Sequence, residues 1–163
     1  MKLASESFIS SYSHLYNTKC IIFRFPNVVG KNLTHGLLFD MKKKILNNNK
    51  FIQVLGNGKQ TKPYSNVSEI IDCMIFINKI NLKNKYSTFN IGTDDKGINV
   101  KKIVELMLKK YNSKKKILYQ KSEIGWKGDI KKYRYSTQKI KKLGFNFKLN
   151  SHQSILKAIE ENI

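Results

Sequence analysis

Gly56-Asn57-Gly58-Lys59-Gln60-Thr61 is where residue types suited to phosphate chemistry cluster most densely in this chain. Two glycines would let backbone N–H groups approach an anion, and a lysine and a hydroxyl follow. The spacing argues against that role. A dinucleotide fingerprint needs a third glycine where Thr61 stands and a helix after it, and a P-loop needs four residues between its glycines with Lys-Ser/Thr behind them. What remains is turn chemistry, so residues 51–55 and 59–64 read as two short strands around a hairpin turn. Other reactive types are dispersed. His14, His35 and His152 do not assemble a Ser-His-Asp or Cys-His set. Cys20 and Cys73 have no ligand spacing, so both are expected as buried thiols, with neither a disulfide nor a metal site. Asp94-Asp95 sits in a polar turn and reads as a solvated pair rather than an acid/base pair.

The elements that would position these residues follow from periodicity. Leu3, Phe8, Ile9, Tyr12, Leu15 and Tyr16 predict a helix over 3–16. Residues 20–25 form an apolar run broken only by Arg24, as in a strand buried on both faces of a parallel sheet, and Pro26 ends its ladder. Residues 36–46 read as a helix. Val67, Ile70, Ile71, Met74 and Ile77 give a helix with a core-facing stripe. Residues 88–91 read as a strand stopped by Gly92, and Asn99 caps a helix burying Val100, Ile103, Val104, Met107 and Tyr111. Residues 116–119 suit a short peripheral strand. Two last helices follow at 137–143, closed by Gly144, and at 152–162, capped by Ser151. Strands alternating with helices indicate an α/β layered fold. Only residues 20–25 have the fully buried look of a central strand, so the rest of that sheet is expected outside the chain.

Composition narrows the function. The 163 residues carry a formal net charge of +20, which invites a nucleic-acid reading. Yet only Arg24 and Arg134 supply the planar fork that reads guanine or clamps phosphate, and the lysines fall in short clusters on the polar sides of helices. Joint enrichment in Lys, Asn and Ile is what an A+T-rich coding sequence produces, so the charge reads as a solvated surface without a specific nucleic-acid partner. No apolar run reaches the roughly 18 residues of a membrane helix, and the first residues lack a leader pattern, so the expectation is a cytoplasmic protein without a membrane partner.

Five segments in order raise the specificity. Lys2-Leu-Ala-Ser-Glu, Arg24-Phe-Pro-Asn-Val-Val-Gly, Leu55-Gly-Asn-Gly-Lys-Gln-Thr-Lys-Pro-Tyr, Phe89-Asn-Ile-Gly-Thr, and the closing Gly125-Trp-Lys-Gly-Asp-Ile with Lys142-Leu-Gly-Phe span nearly the whole chain. The chain resembles the extended short-chain dehydrogenase/reductase family, the NAD-dependent epimerases and dehydratases of nucleotide sugars, most like the UDP-glucose 4-epimerase type. The resemblance covers their C-terminal half.

It implies an α/β fold: the C-terminal part of a Rossmann-type enzyme with its small substrate-binding subdomain, the N-terminal NAD-binding strands being absent. Residues 1–30 would be the remnant of the dinucleotide-binding domain, and 31–163 mainly the sugar-nucleotide subdomain, with 66–92 returning to the Rossmann sheet. Lys2 would fill the lysine slot of Tyr-x-x-x-Lys, with the tyrosine falling before Met1. Such a lysine binds the nicotinamide ribose and acidifies the tyrosine: a cation about 4 Å from a phenolate, at an effective dielectric near 20, contributes about 4 kcal/mol. Pro26 would lie beside the nicotinamide and Asn27 on the substrate diphosphate. Leu37 would border the nucleotide, and Gln53 and Leu55 would receive a uracil-type base along the strand backbone. Lys62 takes the phosphate-arginine slot, keeping the charge and losing the bidentate fork. Asp129 corresponds to the ribose-binding acid, while Trp126 stands where some epimerases have a second phosphate arginine. Lys127 or Lys132 is the candidate replacement. The implied cofactor is NAD, the substrate a UDP-sugar and the chemistry hydride transfer at the sugar C4. The chain alone would be inactive, and helix 3–16 would serve a homodimer. The alternatives are a stand-alone, non-catalytic sugar-nucleotide-binding module and a basic nucleic-acid-binding protein.

Overall fold

The structure, a computed structural model, describes residues 2–161. Its order is α1 (Lys2–Leu15), β1 (Cys20–Arg24), β2 (Asn27–Val29), α2 (Leu37–Leu46), β3 (Phe51–Val54), β4 (Thr61–Lys62), β5 (Tyr64–Asn66), α3 (Val67–Lys79), β6 (Tyr86–Asn90), β7 (Ile98–Asn99), α4 (Val100–Lys110), β8 (Lys116–Tyr119), α5 (Gln138–Lys142) and α6 (Ser151–Glu160).

Among the described residues, three of the four strand pairings are parallel: β1 with β6, β2 with β5 and β3 with β8. Parallel neighbours need long crossovers, and helices occupy each of these connections. The strand that partners residues 20–24 is β6, within the 66–92 stretch expected to return to the sheet. The expected burial of residues 20–25 on both faces is corrected: residues 20–23, Cys20 included, are half-buried.

The predicted hairpin around Gly56-Asn57-Gly58 does not form. β3 pairs with β8, and β4 pairs antiparallel with β7. Gly56 and Gly58 do reverse the chain, at φ 75° and 78°, but the turn hands the chain from one layer to another. Gly56 bonds to Gln120 beyond β8, and the Gly58 carbonyl accepts the Lys101 N–H at the start of α4.

Two apolar clusters hold the elements. One gathers Leu38, Met41 and Ile45 of α2, Ile52 and Val54 of β3, Ile103, Val104 and Met107 of α4, and Ile155, Ala158 and Ile159 of α6. The other packs Ile70, Cys73 and Ile77 of α3 against Phe89 and Ile91 and against Ile140 of α5. Each fully buried aliphatic side chain contributes about 1.5–3 kcal/mol. α1 differs: Leu3, Phe8 and Leu15 are exposed, and the helix is tied to β1 by the Arg24 guanidinium, which donates to both Glu6 oxygens.

Caps decide where helices begin. The Asn66 and Asn99 side chains accept N–H bonds from Ser68 and Lys102 at the starts of α3 and α4. The last helix is capped by Asn150 in a reciprocal box with Gln153, not by Ser151 as expected. Ser151 is recruited elsewhere. Its N–H and hydroxyl donate to Asp95, and its oxygen accepts the Tyr64 N–H. Asp94 accepts bonds from Thr137 and Lys141. The adjacent acids, expected as a solvated pair, instead clamp the 93–97 loop to α5 and α6.

Candidate functional site

A cleft of about 290 Å³ opens between α2, the end of β3, β4 and the loop around Trp126. Asn27, Leu37, Leu55, Lys62 and Asp129 all line it, brought from positions 102 residues apart in sequence (27 to 129). β2 presents Asn27, whose amide donates to the Pro63 carbonyl at 3.2 Å and to the Tyr133 hydroxyl at 3.4 Å. Leu37 is the first residue of α2, so its position on the rim is set by where that helix starts.

Two of the cleft's charges, Lys62 and Asp129, meet within it. The Lys62 ammonium is hydrogen-bonded to Asp129 Oδ1, and the two side chains are 20% and 8% exposed. Gly125 N–H donates to the other carboxylate oxygen at 3.1 Å, and the Asp129 N–H closes a turn on the Trp126 carbonyl. Burial by itself would raise the Asp129 pKa. Its bonds from Lys62, Gly125 and Ile130 outweigh that and hold it below the ordinary 3.8. Tyr64, Tyr133 and Tyr135 near Asn27 are all pushed upward, chiefly by burial. They act as neutral hydrogen-bonding groups at physiological pH, not as bases.

Asp94 is also held below 3.8, through the Lys141 bond against opposing burial, with help from Thr137. A carboxylate depressed in the fold contributes stability above its unfolded pKa and loses it as pH falls through the folded value. Melting temperature is therefore expected to stay level from about pH 8 to about pH 5 and to fall steeply below about pH 4. Phenols raised in the fold act at the other limit, so stability should fall again above about pH 10, where unfolded tyrosines ionise. Melting curves across this range check both limbs. Rising stability on acidification would contradict the assignment of Asp94 and Asp129.

The remaining candidates fall apart in space. Gln53 lies outside the cleft, with its side chain exposed over a neighbouring depression beside Phe51 and Leu118. Pro26 lines a second cavity of about 530 Å³, shared with Asn27 and Leu37. Lys2 is exposed at the start of α1 and lines neither cavity. Trp126 does line the cleft and is 64% exposed, whereas Lys127 and Lys132 do not reach it. Lining residues not foreseen include Asp40, Met41, Lys44, Gln60 and Tyr64. The signal for two of them was present: Leu37, Met41 and Lys44 recur at helical spacing on one face of α2. Among the described residues, no group of three or more His, Cys, Asp or Glu comes together as a metal site, and no helix is long and apolar enough to cross a membrane.

Parallel strands linked by helices, with a polar cleft gathering an amide, a cation and a carboxylate, define an α/β protein of the Rossmann type. The chain belongs to the NAD dependent epimerase/dehydratase family, whose model matches residues 1–92. Among solved structures, a UDP-galactose 4-epimerase superposes with a TM-score of 0.85 at 23% identity, over 98% of this chain and 50% of that one. A UDP-glucuronic acid 4-epimerase from Bacillus cereus, solved with UDP-glucuronic acid and NAD, gives 0.82 at 16% identity, over 98% and 50%. A UDP-glucose 4-epimerase from Thermotoga maritima, solved with UDP-glucose, gives 0.80 at 21%, over 98% and 51%. The chain thus spans about half the length of these relatives. No curated protein matches it by sequence.

Proposed function

We propose that the chain is the sugar-nucleotide half of an NAD-dependent nucleotide-sugar epimerase or dehydratase of the UDP-glucose 4-epimerase type. The observation that carries this reading is the single cleft lined by Asn27, Leu37, Leu55, Lys62 and Asp129. Lys62 and Asn27 would hold the diphosphate, Asp129 the nucleotide ribose, and the free edge of β3 at Gln53 and Leu55 the base.

NAD fits the chain in part. Pro26 borders a cavity roomy enough for a flat ring, and Lys2 would meet the nicotinamide ribose from α1, on a side where the described residues form no pocket with it. The cofactor, when bound, would accept and return hydride at the sugar. This chain's own work is to bind the nucleotide and present the sugar beside Pro26. On this reading residues 1–30 belong with the dinucleotide-binding domain and 31–163 mainly with the sugar-nucleotide subdomain, 66–92 running back to the sheet.

Trp126, the chain's single tryptophan, provides the test. Titration with UDP-glucose should change its fluorescence saturably, and added NAD should yield no epimer from the chain alone. A signal that fails to saturate, with calorimetry also silent, would sink the reading.

A further inference from the structure

Lys44 sits at the base end of the cleft and has no role in the reading above, on which the inference here rests. It lies two turns along α2 from Leu37, is half-buried, and borders both the cleft and the depression under Gln53. Its ammonium donates to the Gln53 carbonyl at 2.8 Å. It is in none of the ion pairs among the described residues. A half-buried ammonium with one protein acceptor keeps two further N–H groups to offer.

The edge it serves has a definite pattern. The Leu55 carbonyl accepts from Gln60 Nε2 at 3.4 Å and the Gln53 carbonyl from Lys44, whereas Gly56 bonds to Gln120 on the β8 side. Gln53 and Leu55 therefore turn their backbone groups to the edge away from β8. Along a strand, the carbonyl of one residue and the N–H two residues on lie side by side on the same edge. A carbonyl oxygen has two lone pairs, so Gln53 can take a second donor beside Lys44. The sequence along the edge is donor, acceptor, donor: Lys44 N–H, Gln53 C=O, Leu55 N–H.

We infer that Lys44 is a specificity residue that completes this edge to read the acceptor–donor–acceptor face of an imide base, uracil or thymine, and to reject amino-bearing bases. Cytosine presents an amino donor, an unprotonated ring nitrogen and a carbonyl. That order sets two of the three protein groups against their own kind, the Gln53 carbonyl against the bare ring nitrogen and Lys44 against the amino group, and unmatched polar groups at a half-buried site are costly.

Calorimetric titration of the 163-residue chain with UDP and with CDP tests this. The chain should prefer UDP by about tenfold or more, the effect of one charge-assisted hydrogen bond. Lys44→Met should lower UDP affinity about tenfold and CDP affinity little, compressing the ratio, and Lys44→Arg should retain most of it. The ratio is the readout because a purely structural tie between α2 and β3 would weaken both ligands alike. A ratio unchanged in Lys44→Met, or a chain preferring CDP, overturns the role of Lys44 while nucleotide binding stands. A chain that binds neither nucleotide overturns the proposal together with the reading beneath it.

Discussion

Replacing Lys62 with alanine is expected to lower affinity for UDP-glucose by about 10- to 100-fold, or about 1.4–2.8 kcal/mol. Among the described residues, the cations lining the cleft are Lys44 and Lys62. Trp126, which lines the cleft beside them, carries no charge, and Lys127 and Lys132 do not line it. The diphosphate would therefore depend on Lys62 for its charge. That dependence has a built-in cost, since Lys62 is held by Asp129 without ligand. A diphosphate must compete with a carboxylate that is 8% exposed and ionised at neutral pH.

The same pair makes the experiment discriminating. Asp129→Asn removes the competitor and its repulsion, so inorganic diphosphate should bind more tightly to that variant, while Lys62→Ala should weaken it. Affinity for UDP-glucose should also lose much of its salt dependence in Lys62→Ala, because the charge that salt screens is gone. Lys62→Ala also strands the Asp129 carboxylate, at a stability cost of about 1–3 kcal/mol. A melting curve separates that loss from the binding loss. If Lys62→Ala keeps UDP-glucose affinity within about twofold, the phosphate role is wrong.

Gly92→Ala should destabilise the fold and disturb the site through a single methyl. Gly92 has φ 132°, and a Cβ built there would stand 2.5 Å from the Tyr135 hydroxyl and 2.6 Å from Cγ of Pro26. The glycine ending Phe89-Asn-Ile-Gly thus has a physical reason: the strand end must lie flat against the Pro26 ring. Positive φ for alanine adds about 1 kcal/mol and forced overpacking about 1–3 kcal/mol. For a chain of this size a loss of about 2–4 kcal/mol lowers the melting temperature by about 5–15 °C. Because Asn27 follows Pro26, nucleotide affinity should fall as well.

Tyr135→Phe provides the second arm. It removes the oxygen nearest the new methyl but also the bond from that hydroxyl to the Thr93 carbonyl, 2.6 Å long. In that background Gly92→Ala should cost measurably less than alone. Additive losses would mean that Pro26 alone, or the backbone angle, carries the penalty.

Periodicity and capping chemistry by themselves determined which residues form helices. The stripes on α3 and α4 and the Asn99 cap depend on neighbours within a turn or two, so local sequence carries them fully. The order of short motifs determined the family, and it named five residues that a single cleft unites. Tertiary structure decided what depends on distant partners. Gly56-Asn57-Gly58 specifies a turn, yet whether β4 folds back on β3 rests on what else can pair. β8 and β7 win those edges because α2, α4 and α6 bury Ile52, Val54 and Ile98 in one cluster. Ser151 has the chemistry of a cap but lies where Asp95, 56 residues earlier, reaches it first. Lys44 is one lysine among many until α2 packs along β3 and sets its ammonium on the Gln53 carbonyl. Hydrogen bonds between residues far apart in sequence leave no periodic trace, because their geometry exists only after the apolar faces have packed.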